Sequence, residues 1–197
     1  MNLSDLISGP LGQSIIKNVA GQLGVDESQA SSAIGAAIPV ILGGMGKNTQ
    51  TQEGAVSLNN ALETKHDGSL LDNLSGMLSN NASDLQQDGD GILNHVFGSN
   101  KDLVESGLSQ KTGISMAKIG PLLAMLAPVV MAYLGKEKKE NNVNAGGLND
   151  LLGGMLGGGG TQQRSGGGGI MDMVSGFLDK DKDGSALDDL FDMFTKR

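Results

Sequence analysis

The sequence predicts an all-α protein: a compact helical bundle with a duplicated helical unit, a glycine-rich linker and a C-terminal helix-loop-helix tail. Three observations predict it. Apolar residues recur every three or four positions over most of residues 1–140. Capping residues and glycines punctuate those runs where helices start and stop. The chain has no Trp and only 3% aromatic residues, so its core must be Leu, Ile, Val, Ala and Met, the ten Met filling irregular gaps.

The first helical region spans residues 3–23, with a break at Gly9-Pro10, and Gly24 stands where it ends. Asp26, with Gln29 three residues on, caps the next helix. Its apolar face is Ala30, Ala33, Ile34, Ala37, Ile38, Ile41 and Met45, Pro39 lies inside it, and Gly43-Gly44 and Gly46 end it. Residues 47–53 read as a loop and 55–64 as an amphipathic helix. His66-Asp-Gly-Ser69 is a turn, with Ser69 capping a helix that carries Leu70, Leu71, Leu74, Met77 and Leu78. Asp88-Gly-Asp-Gly91 reads as a second turn, before a helix with Ile92, Leu93, Val96 and Phe97.

Sliding Gly24 onto Gly113 also brings Asp26 onto Ser115, Pro39 onto Pro128 and Gly46 onto Gly135. The expectation is a duplicated unit whose two proline-bent helices pack together. The apolar run 119–134 falls short of the roughly 20 residues that span a bilayer and contains Pro121 and Pro128, so it reads as a buried core helix. The cluster Lys136-Glu-Lys-Lys139 reads as a helix C-terminus. The predicted domains are therefore a helical body at 1–140, a flexible glycine-rich linker at 141–169 and a tail at 170–197. Within the linker, Leu148, Leu151, Leu152, Met155 and Leu156 form one apolar patch, read as a transient helix or a docking segment.

A net charge of −8 argues against nucleic acid as partner. The absence of Cys excludes disulfides, thiolate catalysis and Cys-based zinc sites. The start, Met1-Asn-Leu-Ser-Asp5, lacks the basic opening and apolar run of a secretory signal, so a cytoplasmic location is expected and membrane insertion is not. No catalytic site emerges. His66 and His95 are not placed by the sequence beside a nucleophile, no Gly-x-Ser-x-Gly elbow exists, and the glycine runs lack the context of a phosphate loop.

The one segment demanding a particular chemistry is Asp179-Lys-Asp-Lys-Asp-Gly-Ser-Ala-Leu-Asp-Asp189. Asp179, Asp181 and Asp183 stand at alternate positions, Gly184 follows where a calcium loop turns sharply, and Ser185 offers a carbonyl. Leu190 stands where such a loop needs a bidentate Glu, leaving Asp188 to close it. Calcium is thus the candidate cofactor, with a Kd on the order of 0.1 mM or weaker. The same residues also make a solvated turn capped by Ser185 and Asp188. The related string Asp67-Gly-Ser-Leu-Leu-Asp-Asn-Leu74, which keeps the cap and lacks the upstream carboxylates, favours that second reading.

The turn at His66-Asp-Gly-Ser69, the segment Asp88-Gly-Asp-Gly-Ile-Leu-Asn-His-Val-Phe-Gly98 and the helix Gly113-Ile-Ser … Leu122-Leu-Ala-Met-Leu-Ala-Pro128 together resemble the bacterial YidB-like family, domain of unknown function 937. The resemblance covers roughly residues 1–135. It implies a closed helical bundle in a bacterial, cytoplasmic protein, and it carries no activity and no site residues. Two functions are therefore expected. One is a non-enzymatic scaffold or interaction module, for a protein partner or for self-association. The other is a divalent-cation-responsive module working through the Asp-rich loop.

Overall fold

The computed structural model describes residues 7–156, and every regular element in it is helical. The helices are α1 (Pro10–Leu23), α2 (Glu27–Asn48), α3 (Gln52–Thr64), α4 (Ser69–Asp72), α5 (Leu74–Asn80), α6 (Ala82–Phe97), α7 (Lys101–Thr112), α8 (Met116–Glu140) and α9 (Leu148–Leu156). Short 3₁₀ turns precede α7 and α9.

The local signals explain the ends. Gly24 and Gly113 close α1 and α7 in the left-handed region, at φ 58° and 73°, where a side chain would be strained. The Asp26 carboxylate accepts from the Gln29 N–H at 2.7 Å and starts α2. Asp26 and Ser115 both stand at helix N-caps, so the register that superposes Gly24 on Gly113 holds at these two helix starts. The Lys118 ammonium donates to the Gly24 carbonyl at 3.0 Å and ties the start of α8 to the α1–α2 corner.

α8 is the axis of the bundle. From Leu122 to Gly135 every residue is buried, and α1, α2, α3, α4, α6 and α7 all pack on it. It is 25 residues long, so the apolar run 119–134 is the middle of a longer helix and not a segment too short to span. Pro121 and Pro128 do not end it, because the neighbouring helices fix its course. α2 and α8 are each long and apolar enough to cross a membrane, but 50% and 78% of their apolar windows are buried inside the bundle. That burial is what a core helix needs.

Close helix approach explains several glycines that the sequence assigns to turns. Asp88-Gly-Asp-Gly91 is no turn but the middle of α6. A Cβ on Gly89 would collide with the Ala124 carbonyl of α8. Pro128, four residues beyond Ala124, has no N–H to give that carbonyl, and the α6 backbone lies against the oxygen so freed. Gly43, Gly44 and Gly46 do not end α2, which runs on to Asn48, and a Cβ on Gly44 would meet Val96 and Phe97 of α6 at 2.6 Å. Gly135 likewise lies inside α8, against the His66 carbonyl.

Two further expectations are corrected. Ser69 is the first residue of α4 rather than its cap; the Asp67 carboxylate accepts from the Ser69 N–H at 3.1 Å, and the helix breaks at Asn73 before α5. The stretch read as linker is packed structure as far as Leu156. Asn144 caps the turn at Ala145–Gly147, and α9 docks on α2 and α3 with Leu148, Leu152 and Leu156 buried. The apolar patch is therefore a helix of the folded body, and residues 157–169 of the expected linker lie outside the described residues.

Candidate functional site

The α3–α4 corner and the exposed side of α6 border a half-open cavity of about 350 Å³. α2 contributes Met45 and Asn48 to it, α3 contributes Ser57, Leu58 and Ala61, and α8 contributes Met131. Asp88, Gly91, Ile92, His95 and Val96 come from α6, one face of one helix repeating every three or four residues. The volume is at the small end of the range of small-ligand pockets, and the wall is mainly apolar with polar groups from several elements.

His66 is the most deeply buried of those polar groups. Only 5% of it is exposed. It is held there by its own backbone: the Lys65 and His66 N–H groups both donate to the Ala61 carbonyl, at 3.0 and 3.1 Å, and Gly135 leaves room for the His66 carbonyl against α8. The ring Nε2 lies 3.7 Å from the Asp88 carboxylate, whose side chain is 43% exposed. The ring Nδ1 is buried without a hydrogen-bond partner. Burial drives the imidazole pKa below its ordinary value of 6.5; the Asp88 charge opposes this and the Lys65 charge adds to it. His66 is accordingly a neutral group at neutral pH, with unspent hydrogen-bonding capacity.

The cavity's far rim is fixed by Asn48, whose amide donates to the carbonyls of His95 and Val96 at 3.3 and 3.4 Å. These carbonyls fall in the last turn of α6, where the helix itself supplies no donor. Nearby, the Lys138 ammonium on α8 meets the Glu63 carboxylate on α3 at 2.8 Å.

Sequence reasoning set His66 in a turn beside Asp67 and His95 on a separate helix; the structure brings both to one cavity. The signal that could have found His66 was weak, a lone histidine ahead of Asp-Gly-Ser with nothing to mark it as buried. Ser57 lines the same space, yet among the described residues no hydrogen bond joins it to His66. Nor, among the described residues, does any trio of His, Asp and Glu lie close enough to hold a metal ion. The candidate calcium ligands Asp179, Asp181, Asp183, Ser185 and Asp188 lie outside the described residues.

Fold and cavity define a class: an all-α bundle around one buried, proline-containing helix, with a ligand-sized pocket at its side. The chain belongs to the family of bacterial proteins of unknown function DUF937, whose family model matches residues 5–137. The YidB-like resemblance agrees with that membership. No curated protein and no solved structure matches the chain.

Proposed function

We propose that this protein is a non-enzymatic interaction module and that the cavity between α3 and α6 is its recognition site. The observation that carries the reading is the buried His66 ring, with an unpartnered Nδ1, in a cavity whose wall mixes apolar side chains with Asn48, Ser57, Asp88 and His95. That Nδ1 is closed to solvent, so a partner reaches it only as the ring turns toward the cavity, and the bond then formed recovers the roughly 1–3 kcal/mol that an unsatisfied buried polar atom costs.

The test is to plug the cavity without harming the fold. Gly91 lines it, and a Cβ there would meet open space. Gly91→Leu should stabilise α6 by about 0.5–1 kcal/mol through helix propensity. Tagged wild-type and Gly91→Leu chains are cross-linked in bacterial cells and their bound partners compared. A partner held by the wild type and lost from the variant supports the reading; identical partners on both would remove the cavity from it.

The second reading, a cation-responsive module, is carried by the sequence of the Asp-rich loop alone. Titration of the full chain with calcium should release heat at millimolar metal, and Asp181→Asn with Asp183→Asn should abolish it. Equal heats from both chains would end that reading.

A further inference from the structure

α9 is seated on the body as a helix of nine residues, and its sequence is not unique in the chain. It reads Leu148-Asn-Asp-Leu-Leu-Gly-Gly-Met-Leu156: an apolar residue, an Asp at the third place, an apolar residue at the fifth, Gly at the seventh, then two apolar residues. The string Leu70-Leu-Asp-Asn-Leu-Ser-Gly-Met-Leu78 has the same plan, as does Leu3-Ser-Asp-Leu-Ile-Ser-Gly-Pro-Leu11. So does Ile170-Met-Asp-Met-Val-Ser-Gly-Phe-Leu178. Residues 186–194 repeat it once more, with Asp192 in place of the Gly.

Where the structure describes such strings in full, 148–156 is one helix and 70–78 is broken at Asn73, yet both place their anchors alike. The fifth and ninth residues are buried in both: Leu74 and Leu78 in one, Leu152 and Leu156 in the other. The eighth, Met77 or Met155, packs half-buried against the core. The Asp at the third place is exposed and falls in the first turn of its helix, where the dipole favours it. In the string at 3–11 the fifth and ninth residues, Ile7 and Leu11, also pack against the core. The pattern is thus a docking code, with anchors one helical turn apart reading a groove between helices.

The receiving faces differ in how firmly they are closed. Residues 70–78 are held in mid-chain between α1, α6 and α8. α9 follows the turn after α8 and packs chiefly on α2. Beyond it the chain carries two further strings of the same code. We propose that the α2 face covered by α9 is an exchangeable docking site, and that the strings at 170–178 and 186–194 enter it in a second copy of this chain. Because the incoming anchors match the outgoing ones, exchange between copies costs little beyond association itself, as in domain swapping. Tails exchanged reciprocally close a swapped pair, and a tail passed on to a third copy extends the assembly into longer chains. This inference does not depend on the α3–α6 cavity.

Sedimentation velocity on the full chain, from micromolar to hundreds of micromolar, tests it. The wild type should gain mass with concentration. A chain carrying Val174→Asp, Leu178→Asp, Leu190→Asp and Phe194→Asp should stay monomeric, with unchanged helix content. Leu152→Ala, which loosens α9 and raises the fraction of open sites, should move the wild-type transition to roughly tenfold lower concentration. Leu156→Ala, at the end of α9, serves where Leu152→Ala unfolds the body. A wild type that is monomeric throughout overturns the proposal, as does association that survives the four aspartates. Association that neither alanine shifts means tail-to-tail pairing, and overturns it too.

Discussion

At the scale of one residue, His66 couples stability to pH. Its imidazole is buried and its pKa lies below the ordinary 6.5, so the unfolded chain binds the proton more readily than the folded one. Stability is therefore full above about pH 6.5 and falls as pH drops from there toward the lowered value. Asp88 and Lys65 are the charges that bear on the ring, and they oppose each other. Glu63 and Asp67 act in a separate window. Hydrogen bonds from Lys138 and from Ser69 hold these carboxylates below their ordinary range, so what they contribute is lost only as pH falls through the carboxylate range. His66→Gln should flatten the dependence of the urea midpoint on pH just below 6.5 and leave the acidic limb in place. Equal slopes for wild type and variant in that window would show that the ring is not the titrating group. None of this was legible in the sequence. Lys65, Asp67 and Gly68 around His66 have the composition of a solvated turn, and the room for its backbone against α8 comes from Gly135, distant in the chain.

At the scale of the element, glycine decides how near two helices lie. Gly135→Ala gains about 1 kcal/mol of helix propensity. It also drives a methyl into the His66 carbonyl, a backbone atom that cannot swing aside. Overpacking of this kind costs about 1–3 kcal/mol or more, so a net loss of stability is expected, read as a lower urea midpoint at constant slope. Gly89→Ala should behave the same way against Ala124, and Gly91→Ala, facing open space two residues on, should do the opposite. A gain of stability in all three would refute the close approach. The contrast explains what the sequence hid. Gly24 and Gly113 were legible because a capping residue follows each where the next helix begins. Gly44, Gly89 and Gly135 carry the same letter but answer to a partner helix far away in sequence, and only the fold identifies it.

At the scale of the molecule, the helical class and the central place of the proline-containing helices were legible, because 3.6-residue periodicity and capping are local. The extent of the folded body was not. Composition put its edge at residue 140, and the family match ends at 137. That second limit would cut the last turn of α8, removing Lys138 from Glu63, and would strip away the N–H of Val143 that closes the helix on the Lys138 carbonyl at 2.9 Å. It would also remove α9 and expose the α2 side chains beneath it. Glycine in 153–154 masked this, since two glycines in a row suggest a tether, whereas three leucines a turn apart make a buried stripe on that same helix. A chain ending at 144 should therefore be less stable than one ending at 156 by at least the cost of a large-to-small core change, about 2–5 kcal/mol. That is a large share of the 5–15 kcal/mol that holds a domain together. Urea denaturation of the two chains, with binding of a hydrophobic dye to the uncovered α2 face, measures it. Equal midpoints and equal dye binding would place the edge of the body before α9 and make its burial incidental.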